Sequence, residues 1–127
     1  MAEATFYRCN RCGLIVAQVK EGHCIPQCCG EQMEKLVAGS VDAAAEKHVP
    51  AVERDGRHVN VKVGEVEHPM LDAHYIEWIA LVAERQVSIK YLKPGEAPEA
   101  RFGGVAEDEP VTVYAYCNLH GLWKAEA

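Results

Sequence analysis

Six cysteines and six histidines in 127 residues constrain this chain more than any other feature. Five of the cysteines fall before residue 30, as Cys9-Asn10-Arg11-Cys12, Cys24 and the adjacent pair Cys28-Cys29. So few residues cannot bury an adequate apolar core alone, so a covalent or metal staple is expected there. Two thiolates two residues apart on a tight turn can point at one ion. Gly13 and Gly30, each directly after a cysteine pair, supply the backbone freedom such knuckles require. Four thiolates make a tetrahedral S4 site, a geometry that selects zinc or iron. Two disulfides are the alternative. The start of the chain, with neither a basic nor an apolar leader region, predicts a cytoplasmic, reducing setting and argues against them. The adjacent pair departs from the second Cys-x-x-Cys of a zinc ribbon, and donor chemistry leaves zinc and iron both open. Cys24 is left without a role.

The second concentration lies further along, in Glu46-Lys47-His48-Val49-Pro50, Glu67-His68-Pro69-Met70, His74-Tyr75-Ile76-Glu77-Trp78 and Cys117-Asn118-Leu119-His120-Gly121. A lone histidine is usually a surface or hydrogen-bonded residue. Cys-x-x-His at the end of a strand is more specific, because one turn brings a soft and a borderline donor together. Four imidazoles and one thiolate exceed what a tetrahedral structural zinc uses. They suit an iron with five ligands and one open position, which means chemistry rather than scaffolding. His23 and His58 lie outside these motifs and are assigned to solvent.

Composition supports a folded, water-soluble chain, with 49% hydrophobic and 25% charged residues. The longest apolar runs, such as residues 79–83, are far short of the roughly 20 residues that span a bilayer. The net charge of −6 argues against nucleic acid or an anionic membrane as partner. That charge belongs wholly to the second part: residues 1–38 hold four basic and four acidic residues, residues 39–127 nine against fifteen. A small-residue stretch over residues 37–45 separates the two compositions. It predicts a metal domain over residues 1–37 and a larger domain over 38–127. The larger one reads as mostly β, a sandwich or barrel. A hairpin is expected across Asp55-Gly56, with strands over residues 87–92 and 111–116. Residues 75–82 read as a further strand, although on period alone residues 75–84 could be a helix.

Taken in order, these pieces resemble the two-iron superoxide reductases of the desulfoferrodoxin family over essentially the full length. Cys9 to Cys12 and Cys28-Cys29-Gly30-Glu31-Gln32-Met33 resemble the small desulforedoxin-like, rubredoxin-like domain. The four histidine and cysteine motifs, with Leu92-Lys-Pro-Gly-Glu-Ala-Pro98, resemble the neelaredoxin-like catalytic domain. The resemblance implies an immunoglobulin-like β-sandwich and two iron ions per chain. One iron would be held by Cys9, Cys12, Cys28 and Cys29. The other would be held by equatorial His48, His68, His74 and His120 with Cys117 axial. The activity implied is one-electron reduction of superoxide to hydrogen peroxide. Lys47 would attract superoxide and order a proton-donating water, and Glu46 would close onto the oxidised iron. A homodimer served by a rubredoxin-like electron donor or a reductase is expected. Two other readings fit the metal-binding residues: a one-electron carrier without superoxide activity, and a zinc-stabilised binding module.

Overall fold

A computed structural model describes residues 2–127. Almost every regular element is a β-strand, and the chain divides into two compact units.

The first unit, Ala4–Val37, is built from very short strands: β1 (Phe6–Arg8), β2 (Ile15–Ala17), β3 (Gln27–Cys28), β4 (Glu31–Gln32) and β5 (Glu34–Lys35). β1 is central in a three-stranded antiparallel sheet between β2 and β5, while β3 and β4 form a separate hairpin. Phe6, Cys9 and Met33 are its buried apolar residues. So small a core needs the staple that the cysteines provide.

The second unit is Ala38–Ala127 together with Ala2 and Glu3. It holds a single turn of helix, α1 (Ala45–His48), and seven strands. These are β6 (Pro50–Asp55), β7 (His58–Val63), β8 (Ile76–Ala83), β9 (Gln86–Tyr91), β10 (Glu99–Phe102), β11 (Thr112–Cys117) and β12 (Gly121–Glu126). Two antiparallel sheets, ordered β10-β7-β6 and β12-β11-β8-β9, make the expected immunoglobulin-like sandwich. Their inner faces interdigitate Val59, Val61 and Val63 with Ile79, Leu81, Val113 and Ala115. Burying each of the valine, leucine and isoleucine side chains contributes roughly 1.5–3 kcal/mol.

Local sequence explains most of these strands. β7 alternates, burying Val59, Val61 and Val63 and turning His58 and Lys62 to water. β8 and β11 are buried on both faces along nearly their whole length. A strand covered on both sides reads as a continuous apolar run, which is why the strand expected over residues 75–82 also admits a helix on period alone. The β6–β7 hairpin turns one residue later than Asp55-Gly56. Asp55 already pairs with His58, leaving Gly56 and Arg57 in the loop. Gly56 takes φ +58° at the first central position, where a glycine best fits the twist of the flanking strands. Among the described residues no helix is long and apolar enough to cross a membrane.

Candidate metal centres

In the first unit the sulfurs of Cys9, Cys12, Cys28 and Cys29 all lie within 4.8 Å of one another. Cys9 and Cys12 face inward because the chain turns tightly between them. Gly13 N donates to Cys9 O at 2.9 Å with Gly13 at φ +82°, and Cys12 N donates to Cys9 Sγ at 3.5 Å. The adjacent pair has a different device. Cys28 ends β3, and Cys29-Gly30 is the two-residue loop of the β3–β4 hairpin, with φ of +53° and +76°. Two successive positive φ values are those of a type I′ turn. For a cysteine the left-handed region costs roughly 1–2 kcal/mol. It brings Cys29 Sγ to 3.8 Å from Cys28 Sγ, so neighbours that would diverge along a strand converge on one centre. The Cys9 thiol is pulled down to about 6 by the backbone N–H groups of Cys12 and then Arg11. Cys28 is pushed up to about 12, chiefly by its contact with the Cys12 sulfur. Cys24 is exposed and outside the group.

In the second unit four imidazoles form a ring. Adjacent centroids are 4.6 Å apart for His48–His68, 4.7 Å for His68–His74, 5.1 Å for His74–His120 and 4.9 Å for His48–His120. Each neighbouring pair stands nearly perpendicular, at 79° to 83°, while His48 and His74 face each other across the diagonal at 6.4 Å. His48 Nε2 lies 3.1 Å from both His68 Nε2 and His120 Nδ1. Cys117 Sγ is 3.9 Å from His120 Nδ1.

Separate elements bring these side chains together. His48 ends α1. His68 and His74 sit on the connection from β7 to β8, where His74 and Leu71 exchange two backbone hydrogen bonds. Cys117 and His120 share the β11–β12 hairpin, whose three-residue loop closes at Gly121 with φ +77°. The β11–β8 register shifts between Tyr116 and Cys117, passing from Trp78 to Ile76. A bulge of this kind re-aims side chains at the rim of a sheet.

The ring nitrogens show what the cluster is prepared to bind. His48 Nδ1 lies 2.7 Å from Ala44 O, and His68 Nδ1 lies 2.7 Å from Pro69 O. A carbonyl only accepts, so both Nδ1 atoms carry the proton and both Nε2 lone pairs face the centre. His74 Nε2 is buried and has no hydrogen-bond partner. An orphaned buried nitrogen is costly unless something positively charged sits against it. Burial holds His48 and His74 below the usual imidazole range and His68 down to about 4, so all three stay neutral and able to donate a lone pair. Burial also pushes the Cys117 thiol up, a cost that a bound cation removes by stabilising the thiolate.

Residues 2–36 match the Desulfoferrodoxin N-terminal domain and residues 40–126 match Desulfoferrodoxin itself. The chain belongs to the desulfoferrodoxin family. The desulfoferrodoxin of Nitratidesulfovibrio vulgaris is 48% identical over 121 residues, 95% of this chain and 94% of that one. A superoxide reductase of Pyrococcus abyssi is 34% identical over 120 residues, 74% of this chain and 96% of that protein. Among solved structures, the superoxide reductase of Treponema pallidum superposes with a TM-score of 0.78 at 37% identity, covering 97% of this chain and 98% of that one. The four-cysteine group and the His4Cys group match the two iron sites of a desulfoferrodoxin.

Glu46 and Lys47 lie on α1 directly before His48, and both are exposed. Lys47 lines an open cleft of about 600 Å³ with Glu67, His68, Pro69, Met70 and residues 95–98. His23 and His58 are exposed and outside both groups. Two participants escaped the sequence reading. Trp123 packs its indole 5.0 Å from the His48 ring and donates from Nε1 to His120 O at 3.1 Å. Asn118 reaches across to the His74 loop. A tryptophan shortly after the Cys-x-x-His motif, and a carboxamide between its two donors, were the available signals.

Proposed function

We propose that this chain is a superoxide reductase, which takes one superoxide, one electron and two protons to one hydrogen peroxide without releasing dioxygen. The observation that carries the reading is the ring of four imidazoles with its orphaned His74 Nε2, set beside the Cys117 thiol. His48, His68 and His74 through Nε2, His120 through Nδ1 and Cys117 through Sγ are five donors for one iron. The bound iron supplies the electron and an open coordination position for the substrate. Cys9, Cys12, Cys28 and Cys29 hold a second iron, in a domain that we place at residues 1–37 ahead of the catalytic domain, residues 38–127.

The chain's own groups then divide the remaining work. Lys47 Nζ draws the superoxide anion toward the cleft beside His68 and orders the water that delivers protons to the product oxygens. Glu46, on the same helical turn, would offer a carboxylate to a ferric ion held there. Cys117, as a thiolate ligand, would donate electron density to an iron held there, as haem thiolates do. Carbonyl bonds from His48 and His68 keep those rings from swinging away between turnovers. We further propose a cytoplasmic homodimer that receives electrons from a rubredoxin-like donor or a reductase.

The test is metal content and the visible spectrum of anaerobically purified protein, before and after oxidation, followed by superoxide kinetics by pulse radiolysis. Two irons per chain, an FeS4 spectrum, a separate thiolate-to-ferric band on oxidation and rapid loss of superoxide are expected. Iron-loaded protein that leaves superoxide decay unchanged would overturn the assignment in favour of an electron carrier. Colourless zinc protein that iron reconstitution fails to convert would point to a binding module.

A further inference from the structure

His74 is held differently from the imidazoles beside it in the ring. His48 and His68 each anchor Nδ1 on a backbone carbonyl, but among the described residues neither ring nitrogen of His74 has a protein hydrogen-bond partner, and its Nε2 is buried. Its ring must therefore be aimed by its backbone. That backbone is bracketed by one side chain. Asn118 Oδ1 accepts from Tyr75 N at 2.9 Å, and Asn118 Nδ2 donates to Ala73 O at 3.0 Å, so the carboxamide grips the chain on both sides of His74. The Asn118 backbone N–H adds a third bond, to Tyr75 O at 3.2 Å. Asn118 is itself between Cys117 and His120 on the β11–β12 loop. The clamp ties the loop of one donor directly to the hairpin that carries two others.

We infer that Asn118 is a positioning residue of the His4Cys centre, its carboxamide standing in for the ring-to-carbonyl bond that His74 lacks. The geometry asks for both ends of an amide, since the acceptor meets an N–H and the donor meets a carbonyl. An aspartate at this position keeps the acceptor and loses the donor. An alanine loses both. Removing partners of this kind from metal ligands typically weakens metal binding roughly 10- to 100-fold. The inference rests on His74 being a ligand, as proposed above.

The experiment compares iron-loaded wild type, Asn118→Ala, Asn118→Asp and His74→Ala. It reads the rate of iron loss to a ferrous chelator, the thiolate-to-ferric band and the FeS4 band as an internal reference. Asn118→Ala should release iron from the His4Cys centre roughly ten-fold faster or more and shift its band, with the FeS4 centre unchanged. Asn118→Asp should fall between wild type and alanine, and it decides the matter if the alanine variant does not fold. Wild-type release and band in the variants would overturn the inference. So would a lower melting temperature with an unmoved band, which marks a merely structural role. If His74→Ala keeps both the iron and the band, the ligand assignment fails instead.

Discussion

The indole of Trp123 lies over the imidazole of His48, centroids 5.0 Å apart and planes at 34°, while its Nε1 donates to the carbonyl of His120. One aromatic side chain thus touches two neighbouring members of the ring. Trp123 is buried on β12 just after the hairpin that bears Cys117 and His120, so hairpin register fixes it against the centre. The strand that closes the sheet also closes one wall of the metal site.

Trp123 should therefore report on metal at this centre. Iron bound within a ring's width of the indole offers a short path for quenching. Tryptophan emission is expected to fall when iron is added to the metal-free protein, and most of the fall should vanish in Trp123→Phe. An equal response in that variant would assign the quenching to Trp78, which stacks on Tyr116 with centroids 5.6 Å apart.

Acid should weaken the metal-free protein in a defined window. Burial holds the folded pKa values of His48, His68 and His74 down, His68 to about 4, against 6.5 for a free imidazole. Between those values the unfolded chain binds more protons than the folded one. Stability is then fully present above pH 6.5 and is lost as pH falls toward 4. Urea midpoints of metal-free protein at pH 7.5, 6.5, 5.5 and 4.5 should decline across that range, and less steeply in His68→Gln. Identical slopes for the two proteins would remove His68 from the explanation.

The sequence exposed the donors better than the scaffold that aims them. Each donor motif pairs an unusual residue with a turn, and those signals are local. The adjacent cysteines looked like an awkward spacing because the I′ turn that converges them depends on Cys29 adopting a positive φ, which its identity does not announce. The Asp55-Gly56 signal points one residue early, because Asp-Gly resembles the loop itself, yet Asp55 pairs across the ladder. β10 and β12 are not legible in the sequence. β10 is four residues long, and β12 ends in Lys-Ala-Glu, so neither carries a long apolar signal. The clamp by Asn118 depends on a contact 43 residues away, beyond any local pattern.

Loss of the first centre should leave the second at work. The four-cysteine group lies wholly within the unit Ala4–Val37, and the His4Cys group wholly within the other. Cys9→Ser removes the buried thiol that receives the backbone N–H of Cys12. The FeS4 spectrum should disappear while the thiolate-to-ferric band and the fast superoxide step persist. Loss of that step in a variant that retains the second iron would mean the first centre takes part in it.

Replacement of Lys47 by alanine should slow the encounter with superoxide. An ammonium about 5 Å from an anion contributes roughly 3 kcal/mol at an effective dielectric near 20, and solvent screening at an exposed side chain reduces this. With about half surviving, the second-order rate constant should fall roughly ten-fold, since 1.4 kcal/mol is a factor of ten. The salt dependence of that rate should weaken in parallel. Pulse radiolysis at two ionic strengths decides it, and an unchanged rate and slope would leave Lys47 a solvated surface lysine.

Gly64 sets where Glu46, Lys47 and His48 can stand. A Cβ on Gly64 would lie 2.6 Å from Glu46 O, 2.8 Å from Val49 O and 3.1 Å from the carbonyl carbon of Lys47. All three are backbone atoms, so no side chain can swing aside to make room. The same carbonyl of Glu46 accepts from Val66 N at 3.0 Å, and the loop it binds runs on to His68. Gly64→Ala must therefore push α1 away from the loop that carries a second donor. Overpacking of this kind costs roughly 1–3 kcal/mol. The variant should melt several degrees lower, lose iron faster from the His4Cys centre and reduce superoxide more slowly, with the FeS4 spectrum unchanged. A protein that melts lower but retains wild-type iron release and superoxide kinetics would show that α1 can move without disturbing the residues it carries.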